Sequence, residues 1–68
     1  MLETELWSYD PGKGRAIKAT IQPNMDRPKL SELNLQWDDG QPVAFPLSLT
    51  VTDLRNLADL CLRAANGG

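Results

Sequence analysis

The stretch LSLTVTDLRNLADLCLRAA, residues 47–65, changes its hydrophobic period partway along. Before Thr50, Leu47 and Leu49 flank Ser48 in the two-residue alternation of a strand. After it, Val51, Leu54, Leu57, Ala58, Cys61 and Ala65 recur at the spacing of one helix face. Thr50 with Asp53 three residues on is an aspartate form of the capping box, in which each side chain accepts a hydrogen bond from the other's backbone N–H. Asn66-Gly67-Gly68 closes the run. The spacing therefore predicts a helix over 51–65, entered directly from a strand.

Working back toward the N-terminus, alternation continues through Val43 and Phe45, so a strand is expected over 43–49. Pro46 lies inside it and has no N–H to give to a ladder, which makes this an edge or bulged strand. Asp38-Asp39-Gly40 is a strong turn signal, and before it Leu33, Leu35 and Trp37 alternate with Glu32, Asn34 and Gln36 in a strand over 30–37. Residues 15–22 alternate most cleanly of all, with Ile17, Ala19 and Ile21 on one face and Lys18, Thr20 and Gln22 on the other, and Pro23 to Pro28 ends that strand. The cluster Asp10-Pro11-Gly12-Lys13-Gly14 separates it from a first strand over 2–9, where Trp7 and Tyr9 fall in step. The pattern is an α+β domain, a four-stranded antiparallel sheet followed by one C-terminal helix, spanning 1–68 as a single unit.

Sixty-eight residues leave room for one core, so a large share of the apolar residues has to be buried. The apolar side of the helix, widened by Leu60, Leu62 and Ala64, covers about half its circumference, more than one sheet contact needs. Two readings follow. Either Leu54, Leu57, Leu60 and Cys61 form a homodimer interface, or a very small protein wraps its only helix deeply into its own sheet.

The chemistry available is narrow. There is no histidine and only one cysteine, so neither an internal disulfide nor a Cys/His zinc site can form, and no catalytic, metal-ligating or cofactor-binding residues are expected. Nucleophilic catalysis lacks its usual base, and Cys61 lies on the apolar helix face, so the chain is expected not to be an enzyme. Pro11-Gly12-Lys13-Gly14-Arg15 lacks the spacing of a phosphate-binding loop and leads into a strand, which makes it a basic hairpin turn. No apolar run is long enough to span a bilayer, and the acidic start MLETELWSYD has none of the features of a secretory leader, so no membrane association and a cytoplasmic setting are expected.

A net charge of −2 conceals an asymmetry. Lys13, Arg15, Lys18, Arg27 and Lys29 stand against a single acid, Asp26, between residues 11 and 30, whereas the rest of the chain is strongly acidic. Cations interleaved with large rings, Trp7 and Trp37 among them, are what single-stranded nucleic acid binding asks for, since cations follow the phosphates and rings stack on bases. The plainer reading is that Trp37, sharing its parity with Leu33 and Leu35, is core and that the cations are a solvated strand face.

The run KLSELNLQWDDGQPVAFPLSLTVTDLRNL, residues 29–57, resembles the positive cofactor 4 transcriptional coactivator family, including its short bacterial and phage members. In that family a strand ending in tryptophan and an acidic turn leads through a Gly-Ile-Ser-Leu type of strand into a capped helix. Trp37, Asp38-Asp39-Gly40, Leu47-Ser48-Leu49-Thr50 and Leu54 to Leu57 occupy those places here. Asn34 stands where the family usually has an arginine, and 41–45 lack its lysines. The resemblance implies a four-strand-plus-helix protomer (ββββα) that dimerises partly through its helix, with a strongly curved antiparallel sheet that grips single-stranded DNA with basic and aromatic residues. The expected function is accordingly single-stranded DNA or RNA binding of transcriptional-cofactor type, through Lys13, Arg15, Lys18, Arg27, Lys29, Trp7 and Trp37. The alternative is a protein-interaction module on the same scaffold, with a protein partner instead.

Overall fold

The computed structural model describes residues 1–9 and 12–67, so Asp10 and Pro11 of the first turn, and Gly68 after the helix, lie outside the described residues. The elements run β1 (Leu2–Ser8), β2 (Arg15–Pro23), β3 (Ser31–Trp37), β4 (Leu47–Leu49) and α1 (Val51–Ala65). The strands form one antiparallel sheet in the order β1-β2-β3-β4, and the helix follows as the periodicity predicts.

The fourth strand is shorter than expected, three residues instead of seven. Gln36 bridges to Pro42 and the Val43 N–H donates to the Leu35 carbonyl at 2.9 Å, but the next ladder pair is Leu33 with Leu47. Five steps of chain on this side thus span what three cover on β3, and the surplus at Ala44-Phe45-Pro46 bulges away from the ladder. Pro46, with no N–H to donate, lies in that bulge, where a proline is tolerated.

Because cross-strand partners share a face, the register sorts the side chains into two surfaces. One is built of apolar rungs: Leu6, Ile17 and Trp37; Thr4, Ala19 and Leu35; Leu2, Ile21, Leu33 and Leu47. The other carries Glu5, Lys18 and Gln36; Glu3, Thr20 and Asn34; Gln22, Glu32 and Ser48; and Trp7 beside Ala16.

A single residue, Thr50, joins β4 to α1. Its backbone is extended (φ −76°, ψ 168°), its hydroxyl accepts from the Asp53 N–H, and its own N–H donates to an Asp53 carboxylate oxygen, both at 3.1 Å. The capping box predicted from sequence is formed. At the other end Asn66 and Gly67 donate to the carbonyls of Leu62 and Ala64, with Gly67 in the left-handed region (φ +81°) that glycine adopts without strain.

From this exit the helix does not fold back across the sheet. It touches the sheet chiefly at β4, none of its residues is buried, and only Leu54 is partly sheltered. That corrects the reading in which the helix wraps deeply into its own sheet. Among the described residues Ile17, flanked by Leu6 and Trp37 on the end rung of the apolar face, is the one buried hydrophobic side chain. The radius of gyration is 13.2 Å, where a compact chain of this length has about 11 Å. The accessible surface is 5624 Å², against about 4,200 Å² for a compact monomer of this mass.

Replacing Thr50 by alanine removes the hydroxyl that accepts from the Asp53 N–H, leaves the backbone bond to the Asp53 carboxylate in place, and is expected to cost about 1 kcal/mol. A lower urea midpoint with an unchanged slope checks this, and an unchanged midpoint would show that the cap contributes nothing.

Candidate nucleic-acid interface

The seven residues that charge and aromaticity single out do not converge on one surface. Trp7 and Lys18 lie on the polar face, whereas Trp37 and Arg15 occupy positions of the apolar parity, with Arg15 opposite Ser8 at the end of β2. The two tryptophans are on opposite sides of the sheet. The cations are also divided along the strand axis: Lys13 precedes β2, while Arg27 and Lys29 sit in the loop after it. Nine residues of extended chain separate these ends, about 30 Å.

Arg15 is engaged within the protein. Its guanidinium lies 4.5 Å from the centre of the Trp37 ring and donates to Asp38 at 2.9 Å, with Asp39 at 3.5 Å. The hydrogen bond to Asp38, reinforced by the charges of both carboxylates, raises its pKa above the ordinary arginine value. The turn delivers these acids. The Gly40 N–H donates to the Trp37 carbonyl, Gly40 takes φ +87°, and the Asp39 carboxylate accepts from the Gln41 N–H at 2.9 Å. The pair Asp38-Asp39 is a hairpin tip, as its sequence suggests, and it also holds the cation that caps Trp37. With one face of its ring occupied by Arg15, Trp37 is a poor platform for a base.

Trp7 is different. It is 57% exposed, and its indole lies so close to Gly14 that a Cβ there would collide with the ring. Glycine at 14 is therefore what lets the hairpin turn pass beneath the ring and hold it on the polar face. Lys18 is opposite Glu5 in register but reaches diagonally to Glu3, Nζ to carboxylate 3.3 Å. Lys13, Arg27 and Lys29 have no ion pair among the described residues. The loop bearing the last two is organised by Asn24, whose carboxamide oxygen accepts from the N–H groups of Asp26 and Arg27 and whose amide donates to Ser48 at 3.0 Å.

The four helix residues expected at a dimer interface stay at the surface of the single chain. Leu57 and Leu60 are 37% and 55% exposed, Cys61 is an exposed free thiol, and Leu54 is half-buried.

Two features escape the residue-type reading. Phe45 sits in the proline-flanked bulge at 92% exposure, although strand parity placed it with Leu47; only the embedded Pro46 hinted at this. An open groove of about 560 Å³ is lined by Glu3, Glu5, Lys18, Gln36 and Asp38, more acidic than basic, because the register brings the acids of β1 beside Lys18. Among the described residues no three potential ligands cluster to hold a metal ion.

The chain matches no family model, no curated protein and no solved structure. What its surfaces do has to be argued from the surfaces themselves.

Substituting Gly14 with alanine is expected to push the Trp7 ring off the turn, shifting its fluorescence toward that of a solvated indole while Trp37 is unaffected. In a Trp37→Phe background the whole emission change should persist, and an emission spectrum identical to the Gly14 parent would show that the ring does not rest on the turn.

Proposed function

We propose that this chain is a homodimeric single-stranded nucleic acid binding protein of transcriptional-cofactor type, a binding module and not an enzyme. The observation that carries the reading is the two-faced sheet with an uncovered apolar side. Leu2, Leu6 and Leu47 of that side, and Val51, Leu60 and Leu62 of the helix, are all about half exposed or more. The surface in excess of a compact monomer is about 1,400 Å² per chain, or about 2,800 Å² for two, within the range of obligate homodimer interfaces. Pairing apolar faces and helices in this way leaves the polar faces outward, each with an exposed indole.

On that outward face Trp7 offers a ring for stacking, worth roughly 1–3 kcal/mol per base. Lys13 at one end and Arg27 and Lys29 at the other are the cations free to meet phosphates, and Lys18 lies between them. Arg15 and Trp37 leave the contact set and become structural. The resemblance of residues 29–57 to the coactivator family agrees with this arrangement of elements. A cytoplasmic setting belongs to the same proposal, and no helix among the described residues is long and apolar enough to cross a membrane.

The acids Glu3, Glu5 and Glu32 share the polar face and favour a second reading, a protein-interaction module for a basic partner. Salt separates the two. Three phosphate contacts per chain give a slope of log affinity against log salt of about −2 for a single strand. Fluorescence anisotropy of a labelled single-stranded oligonucleotide is expected to show this slope, loss of binding in a Lys13→Ala, Arg27→Ala, Lys29→Ala variant, and little change in Arg15→Ala. No binding at high micromolar protein and low salt would overturn the reading in favour of the protein module.

A further inference from the structure

We propose that the free edge of β1 takes up an extended basic segment of another protein as a fifth strand. This rests on the sheet alone and not on the nucleic-acid reading. β1 pairs with β2 on one side and ends the sheet on the other, so alternate backbone N–H and C=O groups along Leu2 to Trp7 face outward with no strand among the described residues to meet them. The strand is regular over seven residues, six of them exposed, and carries no proline or bulge to protect it. β4, at the opposite edge, is three residues long and is followed at once by the helix.

The charges on β1 select the occupant. Glu3 and Glu5 project on the polar face and Leu2, Thr4 and Leu6 on the apolar one. Two copies joined antiparallel through this edge with the whole strand overlapped place Glu5 of one against Glu5 of the other, and a two-residue slip places Glu3 against Glu5. Like charges directly opposite destabilise a sheet, so the edge is guarded against its own copy. An incoming strand with lysine or arginine on the polar face and apolar residues on the other meets the opposite situation.

The neighbour on the occupied side shows the fit: β2 presents Lys18 to Glu3 and Glu5, Ile17 and Ile21 to Leu6 and Leu2, and Ala19 to Thr4. Lys18 pairs with Glu3 at 3.3 Å, which leaves the Glu5 carboxylate without an ion pair among the described residues. The acidic groove beside it, lined also by Gln36 and Asp38, continues the same field. The occupant is therefore an extended peptide that alternates cations with apolar residues, docked by strand addition.

The test is backbone amide exchange of Leu2–Ser8 in the full chain with two synthetic peptides, one alternating valine with lysine and one alternating valine with glutamate. The lysine peptide is expected to slow exchange along β1, and the glutamate peptide to leave it unchanged. A Glu5→Lys variant should weaken the lysine peptide about fivefold, the effect of one cross-strand charge pair, with Glu5→Gln intermediate and both variants retaining the parent circular dichroism. Equal effects of both peptides, or no slowing by either, would overturn the proposal. So would β1 amides already protected without peptide in proportion to protein concentration, since the edge would then be filled by a second copy. Oligonucleotide binding is read separately, so failure of either proposal leaves the other standing.

Discussion

The apolar rungs that cross the sheet, from Leu6 through Ile17 to Trp37 and from Leu2 through Ile21 and Leu33 to Leu47, have to be removed from water for the chain to hold together. Its own helix does not do this. One residue separates β4 from α1, and that residue is fixed in extended geometry by a reciprocal cap, so the helix leaves the end of the sheet and rests chiefly on β4. With Ile17 as the one buried hydrophobic side chain among the described residues, most of this apolar surface stays uncovered within a single chain. The proposed second copy answers that deficit by supplying a helix and an apolar face of the same kind.

That requirement reorganises the functional reading. Once one face of the sheet is assigned to covering, a ligand surface has to be sought on the other, and parity decides which residues reach it. Trp7 does, held by its contact with Gly14. Trp37 does not, and the cation expected to bind phosphate beside it is spent on its ring and on the two acids of the hairpin tip. The basic stretch of the sequence is therefore two clusters at opposite ends of β2 with one ion-paired lysine between them, not a continuous patch.

Much of the fold was legible because it is written in local periods. The switch from alternation to helical spacing at Thr50, the Asp53 cap and the glycine turns each act over a few residues, and each appears where expected. The bulge at Ala44-Phe45-Pro46 was half legible: Pro46 announced an irregular strand, but the loss of pairing over these three residues depends on how the loop from Trp37 returns to β3. The candidate site was least legible, for a physical reason. Residue types report which groups can meet a phosphate or a base, whereas the partners already holding them come from pairings across the sheet, such as Arg15 with Asp38 at a separation of 23 residues. The breadth of the helix's apolar side was visible in sequence, and the choice between intrachain and interchain burial was not, because it turns on the exit angle set at one residue.

The most direct test of this account is the mass of the folded protein in solution, by light scattering across a dilution series with circular dichroism recorded on the same samples. The account predicts a particle of twice the chain mass wherever the folded spectrum is present, and loss of that spectrum together with the particle on dilution. A particle of one chain mass that keeps the folded spectrum would contradict it, and would mean that the helix closes over its own sheet after all.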